Sequence, residues 1–382
     1  MPDSLRCPAR WCAAMLGLAC ALLGVLPHGA PYGMAQAAEA QDFVVTGVLG
    51  SIEPIDSRQG RNSPTIVVLH KSDGYYGDGT FTFNYFSSVA ETAMRHPLAR
   101  LLDVSYGARG EFISAFKGLD VYREGVRQTR RSFNAESLEA LLTAHLFPRV
   151  GWQVDVGLER LWSSFREREG ETDRAFVLPV DFVRDALRVT GRRVGLLGAA
   201  DGELSLTLLD ARRDQWEPWS LDPAQVERTT HGTAEARWHQ PVAWSEHQFS
   251  ILELRGLTGR DLDFLSAFRI GGFAGDYPVA GYYRNEYRAT EAVLLSVEHT
   301  MVLSQGRELT LGVDGAWLKT LPLPEDEPDF QALAGLRAAW FHPIQALGGL
   351  PVILRYGEGL IIPEGSPEQY RRELFLGVAF GF

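Results

Sequence analysis

The chain has 382 residues, a formal net charge of -11, three cysteines and nine histidines. That acidic balance leaves no electrostatic footprint for nucleic acid, and no apolar run after Gln41 is long enough for a membrane helix. A soluble chain of this length usually divides into domains of ~100 to 200 residues, yet no linker or low-complexity block follows Gln41. One continuous domain over 41–382 is therefore expected.

At the start, Arg6 and Arg10 precede an apolar run from Ala13 to Leu26, and small residues cluster at Ala35, Ala37, Ala38 and Ala40. This is the pattern of a secretory signal cut after Ala37 or Ala40, so residues 1–40 are expected to be removed on export. The run falls short of the ~20 apolar residues that a span requires, and Pro27 and Gly29 break it. Cys7, Cys12 and Cys20 all lie within this segment, which leaves the exported chain without disulfides or thiolate metal sites.

After the signal, period-two alternation recurs over about ten residues at a time, the signature of a transmembrane strand with one face to lipid and the other to a lumen. Candidate strands run Phe43–Ile55, Thr65–Lys71, Thr80–Val89, Leu101–Phe112, Leu119–Gln128, Leu138–Phe147, Trp152–Phe165 and Leu187–Gly198. The series continues through Glu203–Ala211, Thr229–His239, Gln248–Leu257, Ala292–Leu303, Glu308–Leu318, Phe330–Phe341, Pro351–Ile361 and Arg371–Phe382. The expected fold is all-β, a transmembrane antiparallel barrel of sixteen strands, or fourteen if Phe43–Lys71 is a plug or lead-in. Short turns such as Ser304–Arg307 and Pro343–Leu350 alternate with longer polar connections such as Lys319–Asp329, as periplasmic turns alternate with extracellular loops.

Alternation also assigns faces. Leu309, Leu311, Val313, Gly315 and Trp317 fall together, as do Ala332, Ala334, Leu336, Ala338 and Trp340; these sets are expected to face lipid. Glu298 lies opposite Val293, Leu295 and Val297, and Asp314 opposite Leu311 and Val313, so both carboxylates are expected to point into the lumen. There they need water or a cationic partner. They either hold such a partner or simply line a wet channel. In the last strand Leu374, Leu376, Val378, Phe380 and Phe382 share the lipid face, opposite Glu373. A terminal strand ending in Phe resembles the signal by which outer-membrane barrels are recognised for insertion, here carried by Phe380 and Phe382.

Between Gln248–Leu257 and Ala292–Leu303 lies a long glycine-bearing excursion, DLDFLSAFRIGGFAGDYPVAGYYRNEY, over Asp261–Tyr287. Phe264, Phe268, Arg269, Gly271 and Gly272 form an aromatic approach with a glycine pair, and Gly281 and Tyr282 close a turn. This segment resembles the bacterial surface antigen family, the barrels of the BamA and TamA assembly proteins and their two-partner-secretion relatives. There, a loop before the fifth strand from the end folds into the lumen. Ser296, Val297, Glu298 and His299 resemble that family's acid-bearing strand, and Gly312, Val313, Asp314, Gly315 and Ala316 resemble its Val-Asp-x-Gly-like strand. The resemblance is specific over 248–382.

The family's loop arginine is replaced here by Ala280, and Arg269, Arg284 or Arg288 is the expected substitute partner for Glu298 or Asp314. The resemblance implies an inward-folded loop and kinship with outer-membrane protein assembly and translocation factors. The family's periplasmic modules find no room before the first strand, so a barrel-only member is expected. Loss of the arginine points instead to a passive channel or structural barrel on the same fold. No nucleophile elbow, metal-spaced histidine set or phosphate-binding glycine loop stands in a suitable context, so an enzyme, a metal or another cofactor is not expected. His299 falls on the lipid face near a strand end, and Asp173, Asp181 and Asp185 read as a solvated loop face. Expected partners are outer-membrane lipid and lipopolysaccharide, the assembly machinery during insertion, and client membrane proteins, with no nucleic acid.

Overall fold

The computed structural model describes the chain from Phe43 onward, apart from 54–60, 75–76, 84–86, 100, 114–118, 120, 124–125, 129, 200, 224–227, 273–275, 284, 322–328, 345–349, 362–370 and 382. Side chains are described mainly from Leu119 to Leu374. The signal segment 1–40 and its cleavage sites lie outside the described residues.

The described chain is all β. Its strands are β1 (Phe43–Glu53), β2 (Arg61–Gly74), β3 (Gly77–Phe83), β4 (Ser87–Ala99), β5 (Leu102–Ile113), β6 (Tyr122–Arg123), β7 (Val126–Arg127), β8 (Arg131–Arg149) and β9 (Trp152–Thr172). There follow β10 (Phe182–Val194), β11 (Glu203–Arg213), β12 (Thr230–Ser245), β13 (Gln248–Arg260), β14 (Phe268–Ile270) and β15 (Tyr287–Val302), then β16 (Glu308–Thr320), β17 (Phe330–Ile344), β18 (Leu350–Gly359) and β19 (Arg371–Gly381). Long strands pair antiparallel with their neighbours in chain order, as in β8–β9, β10–β11 and β16–β17. β1 pairs with β2 and also with β19, from Val45↔Gly381 to Ile52↔Leu374. Within Phe43–Lys71, expected as strand or plug, the described residues of β1 and β2 thus belong to the sheet.

Two sequence expectations are corrected. Leu119–Gln128 is not a strand of the main sheet but carries the separate β6–β7 hairpin, because Leu119 and Val121 turn their apolar side chains into a cluster with Phe133 and Trp219. The candidate Thr80–Val89 spans two elements, the end of β3 and the start of β4. The remainder of β4 reads Ala-Glu-Thr-Ala-Met-Arg-His-Pro, too small and polar to show alternation.

One face of the sheet is apolar and exposed. Leu142, Leu158 and Leu187 stand in adjacent register on β8, β9 and β10, and Val297, Val313 and Leu336 do so on β15, β16 and β17. Leu158 is 58% exposed and Val313 50%. Soluble surfaces rarely gather large aliphatics in such contiguous rows. The opposite face carries Glu253, Glu298, Asp314 and Arg337 and is covered in part by the 261–287 excursion, whose Leu262, Phe268, Ile270, Val279 and Tyr282 form a core with Leu294, Ala316, Leu318 and Leu333 of the sheet.

Short turns alternate with long connections, so the antiparallel order gathers the long ones at one edge. There Phe176, Trp219, Leu221 and Phe264, each from a connection, pack with Val121 and Phe133. Trp219 meets Phe264 edge-on at 6.0 Å and Phe133 at 5.7 Å between centroids, the orientation aromatic quadrupoles prefer.

Candidate functional site: the excursion and the wall it covers

Building from its first residues, the excursion is rooted by charge. Asp263 is 1% exposed and accepts a two-pronged hydrogen bond from Arg213 at the end of β11, one arm measuring 3.0 Å. It also accepts the backbone N–H groups of Leu265 and Ser266 at 3.1 and 2.8 Å. Burial by itself would raise the carboxyl pKa, but the hydrogen bonds and charge of Arg213, with Ser266, outweigh it and hold Asp263 at about 2.

Next comes a doubling back. β14 extends the ladder beside the start of β15, Phe268↔Ala289 through Ile270↔Tyr287. The chain then reverses at the glycine pair, where Gly271 N–H bonds the Tyr277 carbonyl and Gly272 N–H that of Val279, both at 3.0 Å. Gly271 has φ +122°, and a Cβ there would lie 2.6 Å from the Tyr283 carbonyl oxygen, so only glycine fits.

The tip, Val279 to Tyr282, lies on the sheet. Ala280 N–H donates to Asp314 Oδ2 at 3.1 Å and Gly281 N–H to Glu373 Oε2 at 3.2 Å. Backbone meets backbone here: a Cβ on Gly281 would sit 1.9 Å from the Gly359 nitrogen, and one on Gly335 2.2 Å from the Ala280 carbonyl oxygen. Tyr282, 1% exposed, places its hydroxyl 2.7 Å from the Ile361 carbonyl and accepts the Ala334 N–H at 3.2 Å. Burial pushes its phenol up to about 12. Glu286 closes the excursion through a fully buried ion pair with Arg371 of β19 and accepts the Tyr283 N–H at 3.0 Å; its burial raises its pKa despite the arginine.

Glu298 and Asp314 both lie on the covered face, but neither Arg269 nor Arg288 pairs with them. Arg269 pairs with Asp276 at 2.6 Å. Arg288 is buried with its guanidinium 4.5 Å over the Phe264 ring, and Arg284 lies outside the described residues. The cation is Arg337 of β17, with Nη2 2.7 Å from Glu298, 3.3 Å from Asp314 and 2.5 Å from the Ser296 hydroxyl. Gly312 stands opposite Arg337 in register, where a Cβ would lie 2.6 Å from its Nε. The glycine makes room for the guanidinium, and the pairing is local to the wall.

Sequence reasoning missed Arg337, Glu373, Glu286 and Arg371. The alternation that placed Asp314 inward gives Arg337, Arg371 and Glu373 the same face; only the cross-strand register was missing. Phe382 is outside the described residues, and Phe380 pairs in register with Thr46. On the exposed face, Ser250 Oγ lies 3.0 Å from His299 Nδ1 and accepts Trp244 Nε1–H at 2.8 Å. Among the described residues no carboxylate orients this histidine, and both residues' backbones are in β ladders, which leaves no amide pair for an oxyanion.

No protein-family model and no curated protein matches the chain. Among solved structures it is similar to CdiB from Acinetobacter baumannii, with TM-score 0.53 and 14% identity over 89% of this chain and 60% of that one. It is similar to BamA from Haemophilus ducreyi lacking POTRA domains 1–3, with TM-score 0.56 and 13% identity over 90% and 71%. CdiB from Escherichia coli gives TM-score 0.53 and 14% identity over 88% and 63%. The chain thus spans about 60% of the A. baumannii CdiB chain. At these identities the likeness is one of fold.

Proposed function

We propose that this chain is an outer-membrane β-barrel of the assembly and translocation type, exported by a cleaved signal and acting on membrane proteins or lipid without enzymatic chemistry. The observation that carries the reading is the docked tip, Val279 to Tyr282, fastened to the covered face through Asp314, Glu373 and Tyr282. In this reading β1–β5, β8–β13 and β15–β19 close as sixteen wall strands, supported by the β1–β19 register. Closure leaves no unpaired edge, which lipid demands of a spanning sheet. The rows Leu142–Leu158–Leu187 and Val297–Val313–Leu336 then face the acyl chains, and the excursion occupies the lumen. The fold likeness to BamA and CdiB supports the same assignment.

Ala280 favours a second reading, a passive channel or structural barrel. It presents no cation to Asp314, and Arg337 serves from the wall instead. Depletion in the native host separates the two. The assembly reading expects the amounts of other barrels in the outer membrane to fall. Unchanged barrel levels with altered solute permeability would establish the second.

A further inference from the structure

Between the excursion and the wall lies a cavity of about 190 Å³, bounded by Tyr277 and Pro278 on one side and by Glu253, Ser296, Glu298 and Asp314, among others, on the wall. Liquid water occupies ~30 Å³ per molecule, so the space suits about six waters or one compact organic ion.

Arg255, Arg337 and His239 also line it, and with Arg237 three guanidiniums serve the three carboxylates, but unevenly. Glu253 is fully engaged, by Arg237 at 2.5 Å and Arg255 at 2.6 Å. Glu298 and Asp314, by contrast, share the single guanidinium of Arg337. That guanidinium is nearer to Glu298 and already donates to Ser296. Asp314 is 2% exposed, and its Oδ2 is taken by the Ala280 N–H. Its Oδ1 lies 3.3 Å from Arg337 Nη2 but accepts no hydrogen bond of good geometry. A buried carboxylate oxygen without a well-formed hydrogen bond is costly, and Asp314 lines the cavity. Solvent reaches the cavity, since the Glu298 side chain is 30% exposed.

We propose that this cavity binds a small organic cation with N–H donors, a guanidinium or primary ammonium head, whose hydrogen bond goes to Asp314 Oδ1 and whose charge offsets the surplus of the Glu298–Asp314 pair. Glu298 flanks the head, and the Tyr277 ring and Pro278 form the roof. A metal ion is disfavoured by the site's own chemistry, because Arg337 already sits between the two carboxylates. The inference concerns the cavity alone and holds for either reading of the protein's role.

The test is calorimetric titration of the purified full chain in detergent with methylguanidinium chloride, against sodium chloride at equal ionic strength. The proposal expects saturable heat for methylguanidinium, affinity at least tenfold weaker in Asp314→Asn, several-fold weaker in Glu298→Gln, and unchanged in Asp210→Asn, an exposed control. Tetramethylammonium, which has the charge but no N–H, is expected to bind far more weakly. Absence of saturable heat, or equal binding by Asp314→Asn or by tetramethylammonium, overturns it. Should Asp314→Asn fail to fold, Glu298→Gln decides, and unchanged affinity in that variant overturns the proposal.

Discussion

The two ends of one excursion are held by different physics. At the root, Asp263 and Phe264 are fixed by side chains: a buried ion pair with Arg213 and a nest of aromatic rings. At the tip, Ala280 and Gly281 are fixed by missing side chains, since Gly335 and Gly359 admit the loop backbone to the wall. The root therefore is sensitive to removal of atoms and the tip to their addition.

The largest loss is expected at the root. Asp263→Ala strands a guanidinium that is 3% exposed, a change that costs ~3–5 kcal/mol, read as a lower thermal midpoint with earlier proteolysis near Leu262. The same group gives a pH signature. Its carboxyl is depressed from 3.8 to about 2, so its contribution is fully present above pH 3.8 and is lost as pH falls through about 2. Wild type should therefore lose stability over that interval relative to Asp263→Ala, and parallel profiles would refute the pairing.

Adding one methyl at the tip comes next. Gly281→Ala must hold φ +83° and a Cβ 1.9 Å from the Gly359 nitrogen, which costs ~1–3 kcal/mol or expels the tip. Proteolysis between Tyr277 and Tyr283 should rise while the root stays protected. Tyr282→Phe keeps the shape and removes only the hydroxyl contacts to Ile361 and Ala334, an expected ~0.5–1.5 kcal/mol. At the bottom of the scale, Arg160→Ala deletes an exposed pair with Asp185 and should leave the thermal midpoint unchanged within error.

Much of this arrangement was legible in the sequence because alternation is a one-dimensional signal. It gave the faces of β15, β16 and β17, and it put Glu298 and Asp314 on the covered side. What stayed hidden depends on register. Arg337 meets Glu298 only because β16 brings β15 and β17 to either side of it, and Glu286 meets Arg371 across 85 residues. Arg269 failed as a partner for a local reason: Asp276, seven residues on, reaches it first. The Leu119–Gln128 segment alternates as a wall strand does, but its apolar side chains serve the aromatic nest instead of a membrane face.

The central claim, a membrane barrel with the excursion folded inside, is tested most directly by mass-tagging single cysteines on intact cells with a bulky polyethylene-glycol maleimide. Pro278→Cys reports the tip and Glu217→Cys an exposed residue of the outer connections. The account predicts a gel shift for Glu217→Cys on intact cells, and for Pro278→Cys only after denaturation. Equal tagging of Pro278→Cys on intact cells would put the excursion outside and contradict it.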